Sequence, residues 1–311
     1  MSLQQTVPGT EDLKDSTGTE VPARQRLRAG GFWRFIRKNP SGVLGMILVG
    51  TVVICAVFAP WIAPYNPTEA SLGERLADPI FADETGESRY LLGGDPLGRD
   101  LLSRIIYGAR ISLQVGIFGV LIAAVLGTIL GLIAGYVGKW FDDFIMRAAD
   151  VQLAFPFILF AIIIMSVLGG GIWVIVVLLG ITYWVGFARI VRGQVVALKQ
   201  LEYVEAAKAS GSTGLRIVLR HIFPNVFSSV LVLATLFTAE FILLEASLTF
   251  LGLGVDPTIP SWGGMLSDSR NYIDSAWWTA VFPGVAIMLT VLGFNLLGDW
   301  LRDRLDPNIK A

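Results

Sequence analysis

Side chains that carry out chemistry are scarce in this sequence. His221 is the only histidine and Cys55 the only cysteine among 311 residues. A metal cluster or a nucleophile–base pair needs several such groups close together, so we expect no metal site and no catalytic residues. No GxxxxGK[ST] phosphate-binding loop occurs, because the nearest run, Gly135 to Lys139, lacks the length and the hydroxyl residue. Energy from ATP would therefore have to come from another chain.

Acidic residues within apolar runs are the next candidates. Glu240 and Glu245 both lie inside a long apolar run, where an ionisable group is costly and normally faces a cavity or a partner. A five-residue offset separates them by about 140° around a helix, so an unbroken helix cannot turn both into one pore. We predict that Glu240 lines a pathway and that Glu245 is a structural or outer-gate residue. Asp150 follows Arg147 by three residues, which predicts an ion pair within one helix.

Two further sets of charges are spaced four residues apart. Asp95 precedes Arg99, and Asp100 precedes Arg104, in a segment that we predict to be an interfacial helix. Residues at this spacing share a helix face and can pair. The pairs fit an outer gate, and they fit equally a solvated face that neutralises its own charge.

The composition is that of a membrane protein. The chain is 54% hydrophobic and only 16% charged, against about 25% charged residues in soluble domains. The formal net charge is −1, which excludes the concentrated basic surface that nucleic-acid binding requires. We expect the lipid bilayer as the main solvent and no nucleic-acid partner.

Apolar runs of about 20 residues predict about six transmembrane helices and an all-α fold. Gly127, Gly131 and Gly135 recur every four residues in the second run, which predicts a smooth face for close helix packing. The predicted spans are residues 43–62, 111–136, 145–168, 172–191, 226–253 and 278–297.

Positive charges predict the orientation. With the N-terminus inside, about 18 of the 24 Lys and Arg residues lie on the cytoplasmic side. Both termini are then cytoplasmic. The predicted organisation is a tail over 1–42, disordered to about residue 30, a first span over 43–62, an external loop with an interfacial helix over 63–110, a core over 111–300, and a C-terminus over 301–311.

The cytoplasmic loop over 198–225 is too polar to span and too regular for a linker. Apolar residues recur at helical spacing, Gly211 interrupts the pattern, and the pattern resumes before Pro224. This predicts two short helices that could insert into a groove on a soluble partner. The other interpretation of this loop is an amphipathic helix on the membrane surface.

The spacing in this loop resembles the EAA loop of ABC importer permeases. Glu205-Ala206-Ala207 is followed after three residues by Gly211, with Pro224 thirteen residues later. His221 replaces the usual apolar residue, and an Arg-His pair before Pro-Asn is familiar in the peptide/nickel branch. The resemblance implies coupling to an ATPase through Glu205, Ala206, Ala207, Lys208, Gly211, Arg216 and His221.

Two other segments resemble the same branch, namely residues 93–113 and 245–266. The resemblance implies a type I importer permease fold, the second (C-type) permease of the pair, and a prokaryotic inner-membrane location. The implied partners are a homologous permease, one or two ATP-binding subunits that hold ATP and Mg²⁺, and an extracytoplasmic substrate-binding protein. Peptides are the expected cargo, ahead of nickel or another small solute.

Two other classes of protein fit parts of the sequence. A self-sufficient ion- or proton-coupled transporter could use Glu240 and Asp150, but it has no need of the pattern in the 198–225 loop. A membrane enzyme is a weaker alternative, since no catalytic set is visible.

Overall fold

A computed structural model describes residues 39–82 and 88–305. The predicted disordered tail lies almost entirely outside these residues, as does the end of the predicted C-terminus. Apart from an isolated bridge between Gly94 and Asp100, the regular structure of the described part is helical.

The helices follow one another with short connections, except for one long segment over residues 63–100. They are α1 (Pro40–Ile62), α2 (Leu101–Val137), α3 (Lys139–Leu153), α4 (Phe157–Leu168), α5 (Ile172–Leu198), α6 (Glu202–Ala209), α7 (Gly214–Ile217), α8 (Phe223–Phe250), α9 (Trp262–Ser269) and α10 (Trp278–Leu305). A π-helical turn, Val218–Ile222, joins α7 to α8. Within the described ranges five helices are long and apolar enough to cross a membrane, or six if the bent α3–α4 pair is one span.

The second span begins ten residues earlier than predicted. Asp100 is the N-cap of α2, and its side chain accepts a hydrogen bond from the backbone N–H of Ser103. Such a cap satisfies one of the free amides of the first turn. The predicted interfacial helix is therefore wrong: residues 93–100 form a turn, and the residues that follow belong to α2 itself.

The third predicted span is broken rather than straight. The axes of α3 and α4 differ by 85°, with Pro156 immediately before α4. Proline lacks the amide hydrogen that would continue the helix and its ring clashes with the preceding turn. With only 12 residues, α4 is about 18 Å long, too short to cross the bilayer alone.

The core of the bundle is the packing of α2 against α5. Gly127, Gly131 and Gly135 face α5, as their spacing predicted. A Cβ built on Gly131 would lie 2.7 Å from the carbonyl oxygen of Ala188 and 2.8 Å from Cβ of Val191. Absence of side chains is what lets the two backbones approach this closely.

Both ends of the described chain lie at the same end of the bundle as α6. A Cβ on Gly42 would meet the ring of Trp300, which places the start of α1 beside the end of α10. The end of α10 also shares a cavity with the end of α5 and the start of α8. We call this the α6 end; α9 lies at the opposite end, beyond the last turn of α8.

Candidate functional site

The 198–225 loop forms two short helices, as predicted. In α6 only Val204 is buried, and Glu205, Ala206 and Lys208 are exposed. Ile217 and Ile222 are buried in the same core as Val204. The loop is thus held by three apolar side chains while most of its α6 face is open to a partner.

Gly211 makes the turn between the two helices. Its φ is +76°, a conformation that costs little only without a Cβ. Its N–H donates to the carbonyl of Lys208 at 3.0 Å, and the N–H of Ser212 donates to that of Ala207 at 3.1 Å. These bonds satisfy carbonyls at the end of α6, as in a Schellman-type ending.

The second half of the loop exposes large apolar side chains next to positive charge. Leu215 is 71% exposed and Leu219 57% exposed, and Arg216 is exposed between them. His221 is half-buried, with its ring 6.4 Å from that of Tyr203. Exposed leucines ringed by polar residues are typical of a protein-binding surface.

The loop is tied directly to the long helix α2. Lys199 Nζ donates to the carbonyl of Gly135 at 2.9 Å, and a Cβ on Gly214 would lie 3.1 Å from the ring of Tyr136. A displacement of α6 and α7 would therefore act on the end of α2.

The opposite end of α2 carries a buried charge cluster. Asp95 Oδ2 lies 2.5 Å from Arg99 Nε and 3.4 Å from Arg104 Nε. The predicted Asp95–Arg99 pair is present. Asp100 and Arg104 are both described, yet they do not pair: Asp100 caps α2 while Arg104 turns to Asp95 and to the carbonyl of Pro67, at 3.2 Å.

A third carboxylate reaches the cluster from α9. Asp268 Oδ2 lies 3.4 Å from Arg99 Nη2. Burial raises the pKa of the Asp268 carboxyl, while the Arg104 and Arg99 guanidinium groups act in the opposite direction. The cluster joins the long segment over residues 63–100 to α2 and α9.

The two glutamates of α8 have different surroundings. Glu245 is fully buried and accepts hydrogen bonds from Ser112 at 3.2 Å and Thr249 at 3.0 Å. Glu240 is exposed and accepts one from the Tyr183 hydroxyl at 2.9 Å. The geometry agrees with a structural place for Glu245 and leaves the pathway assignment of Glu240 a prediction.

Asp150 does not pair with Arg147 as predicted. Its Oδ1 lies 2.5 Å from Nη2 of Arg189, on α5. Arg192 of α5 likewise forms a bidentate ion pair with Asp142, in which Nε and Nη2 donate at 3.0 and 2.7 Å. Both ion pairs join α3 to α5.

Three residues of interest were missed in the sequence. Gln152, at the bend, donates to the carbonyls of Ile181 and Thr182, at 3.1 and 2.6 Å. Phe157 and Tyr183 pack edge to face, 5.9 Å between ring centres. Pro156, inside a predicted span, was the signal that could have indicated a break there.

A cavity of about 830 Å³ opens at the α6 end. Polar and apolar groups of α5, α8 and α10 line it, among them Gln194, Asn225, Ser229, Leu236 and Arg302. Gln194 Nε2 donates to Ser229 Oγ at 2.6 Å across the cavity wall. In residues 39–82 and 88–305 no group of three or more His, Cys, Asp and Glu side chains is placed to hold a metal ion.

Comparison with known proteins decides the family. Residues 127–311 match the family model described as binding-protein-dependent transport system inner membrane component. The chain belongs to this family. Residues 29–79 of the permease also match the N-terminal TM domain of oligopeptide transport permease C.

Curated relatives are similar over almost the whole permease. The dipeptide transport system permease protein DppC of Alkalihalophilus pseudofirmus is 45% identical over 294 residues, which cover 93% of this chain and 94% of the relative. The di/tripeptide transport system permease protein DppC of Pseudomonas aeruginosa is 42% identical over 279 residues, covering 90% and 92%. The glutathione transport system permease protein GsiD of Pectobacterium atrosepticum is 44% identical over 281 residues, covering 90% and 91%.

These matches establish the general role. The chain is a multi-pass inner-membrane permease of an ABC importer with the type I permease fold, and its family consists of transport components rather than enzymes. As a binding-protein-dependent system, such an importer includes other subunits.

Proposed function

We propose that this permease forms half of a translocation pore for peptides and is driven by ATPase subunits through the 198–225 loop. The observation that carries the coupling is the exposed surface of α6 and α7, which is held on the core by Val204 and Ile217. Glu205, Ala206, Lys208, Gly211 and Arg216 are all open to a partner on that surface.

The proposed partners complete the importer. They are a homologous second permease, one or two ATP-binding subunits that carry ATP and Mg²⁺, and an extracytoplasmic binding protein. The α6 end then faces the cytoplasm together with both termini. The common position of α6, the start of α1 and the end of α10 supports one side for all three.

Peptides are favoured as cargo over nickel or another small solute. The relatives compared above are named for dipeptide, di/tripeptide and glutathione transport, and glutathione is itself a small peptide derivative. A self-sufficient ion-coupled transporter is less well supported, because Asp150 is engaged by Arg189 and the exposed loop would have no partner.

The proposal is tested by expression with its neighbouring subunits in a strain that lacks peptide importers. Affinity-tagged permease should retain an ATP-binding subunit through purification and restore uptake of radiolabelled Ala-Ala. Uptake should be lost when the Glu205→Lys substitution reverses the charge at that position of the loop surface. Uptake by the permease without any ATP-binding subunit would contradict the proposal and favour an ion-coupled transporter.

A further inference from the structure

The bend in the third span brings α3, α4 and α5 together at one level of the bundle. Because α3 ends at Leu153 and α4 begins at Phe157, the Phe157 ring reaches Tyr183 of α5. Gln152 fixes this arrangement through two carbonyls of α5 and through Trp184, whose Nε1 donates to its Oε1 at 2.8 Å. Interrupted helices inside a membrane are tolerated where they line a cavity or a protein interior.

Helices α4, α5 and α8 carry Phe157, Tyr183 and Glu240 at a similar depth, which is the middle of the membrane when the helix ends opposite to α6 lie at its surface. Counting along each helix from the end opposite to α6, Phe157 lies about 17 Å in, Tyr183 about 17 Å and Glu240 about 15 Å. The hydrocarbon core is about 30 Å thick. A carboxylate at this depth is far from both headgroup layers.

The chemistry at this level combines a carboxylate with aromatic rings. The Tyr183 hydroxyl donates to Glu240 Oε1 at 2.9 Å. Around the Tyr183 ring lie Phe157, Phe237 and Phe241, at 5.9, 5.5 and 4.9 Å between centres. Aromatic rings together with an acidic group attract ammonium ions through ring quadrupoles and direct charge.

The carboxylate is open on one side. Glu240 is exposed, and within the described ranges Tyr183 is its one hydrogen-bond partner. A charged group turned toward lipid at mid-depth is strongly disfavoured, so this side must meet water, cargo or another protein. Arg189, the cationic residue nearest to Tyr183 along α5, is already paired with Asp150.

The cavity at the α6 end extends along one face of α8 to within one turn of Glu240. Leu236 lies one turn before Glu240 on that face and lines the cavity at the α6 end, as do Val232 and Asn225 farther along. On α5 the cavity is lined by Ile190 and Gln194, two and three turns beyond Tyr183. The cavity therefore follows the same two helices that carry the Glu240–Tyr183 pair.

We propose that Glu240, positioned by Tyr183 and walled by Phe157, receives an ammonium group of the cargo as it passes through the pore. The substrate class is then a solute with a free positively charged amine, such as the amino terminus of a short peptide. Tyr183 is a positioning residue that orients the carboxylate. The inference rests on the proposed pore function and names a specificity-determining group within it.

Charge-selective labelling tests the proposed ammonium site at Glu240 without requiring transport. In assembled complex carrying Cys55→Ser, the only native cysteine of the permease is removed, and Leu236→Cys places a thiol one turn from Glu240. Its reaction rates with trimethylammonium-ethyl and sulfonatoethyl methanethiosulfonate are compared with Glu240 present and with Glu240→Gln. We expect the cation-to-anion rate ratio to fall about fivefold in the Gln variant, as one lost charge at this range implies.

Matched variants control the measurement. A thiol introduced by Val232→Cys is one turn farther away and should show a smaller fall in the ratio. Asp256→Asn, at an exposed carboxylate beyond the last turn of α8, should leave the ratio measured at the Leu236→Cys thiol unchanged. If Leu236→Cys does not assemble, Leu233→Cys in the same cavity replaces it.

The outcomes separate this inference from the pore function itself. An unchanged ratio in Glu240→Gln, or a thiol that neither reagent reaches, overturns the ammonium site even if peptide uptake is normal. A fall in the ratio supports the site even if Ala-Ala is not transported, in which case only the peptide cargo is wrong. Where Ala-Ala is taken up, Glu240→Gln should reduce its uptake more than that of a cargo without an amine.

Discussion

Asp95 and Arg99 form a buried ion pair, with Nε of Arg99 2.5 Å from Oδ2 of Asp95 and side-chain exposures of 7% for Arg99 and 5% for Asp95. The same carboxylate oxygen lies 3.4 Å from Nε of Arg104. The Asp95 carboxylate thus pairs with two buried guanidinium groups. It also accepts backbone hydrogen bonds from Leu97 and from Arg99, at 2.8 and 2.9 Å.

Asp95→Asn should destabilise the permease strongly. Removing one member of a buried ion pair leaves an uncompensated charge, which costs about 3–5 kcal/mol. Thermal unfolding of the detergent-purified complex measures the effect. Asp256→Asn is the control, because the Asp256 side chain is exposed and accepts its hydrogen bonds from Thr258, two residues along the chain. Equal melting temperatures for the two variants would contradict this account of the cluster.

Gly131→Ala should loosen the α2–α5 interface. The new methyl group would lie 2.7 Å from the Ala188 carbonyl oxygen, and overpacking of this kind costs about 1–3 kcal/mol. Gly193→Ala is the matched control, since nothing lies within 4 Å of its added Cβ. In a helix that change should be neutral or stabilising, by up to about 1 kcal/mol. A Gly131→Ala protein as stable as Gly193→Ala would show that the contact is not close.

Asp268 should make stability depend on pH in a defined direction. Its pKa is raised from 3.8, chiefly by burial, so the folded state holds this proton more tightly than the unfolded chain does. The resulting stabilisation is present at low pH and is lost as the pH rises through the folded pKa. Asp268→Asn does not titrate at this position, so the stability of wild type relative to this variant should fall as the pH rises above about 4.

The free energy of unfolding of both proteins, measured from about pH 4 upward, tests the direction of this change. Because all other groups titrate in both proteins, the difference isolates Asp268. A relative stability that rises with pH would mean that pairing with Arg99, at 3.4 Å, outweighs burial.

The sequence predicted those features that depend on spacing within one element. Apolar length located the spans, four-residue spacing predicted the glycine face and the Asp95–Arg99 pair, and Gly211 indicated the turn between α6 and α7. The spans and the glycine face follow from helix geometry. The Asp95–Arg99 pair forms within a turn and not on the predicted helix.

Contacts between elements could not be predicted in this way. Arg189 pairs with Asp150, 39 positions away, because α3 packs alongside α5. The Tyr183–Glu240 bond joins residues 57 positions apart. Local spacing favoured Arg147 for Asp150 and Asp100 for Arg104, and in both cases packing of a different helix or turn decided the partner.

The central claim is that the 198–225 loop transmits ATP hydrolysis to the pore. Glu205 and Gly211 are both exposed, so substitution there should leave folding and membrane insertion intact. Gly211→Asp also forces a side chain into the left-handed conformation at φ +76°, which alters the turn at the proposed contact.

The most direct measurement is the ratio of labelled Ala-Ala transported to ATP hydrolysed in proteoliposomes that contain the complete importer. For Gly211→Asp and Glu205→Lys the account predicts normal amounts of inserted permease and a ratio at least about tenfold below wild type. Lys139→Ala, outside the loop, should keep the wild-type ratio. Wild-type ratios in both loop variants would contradict the assignment of this loop as the coupling element.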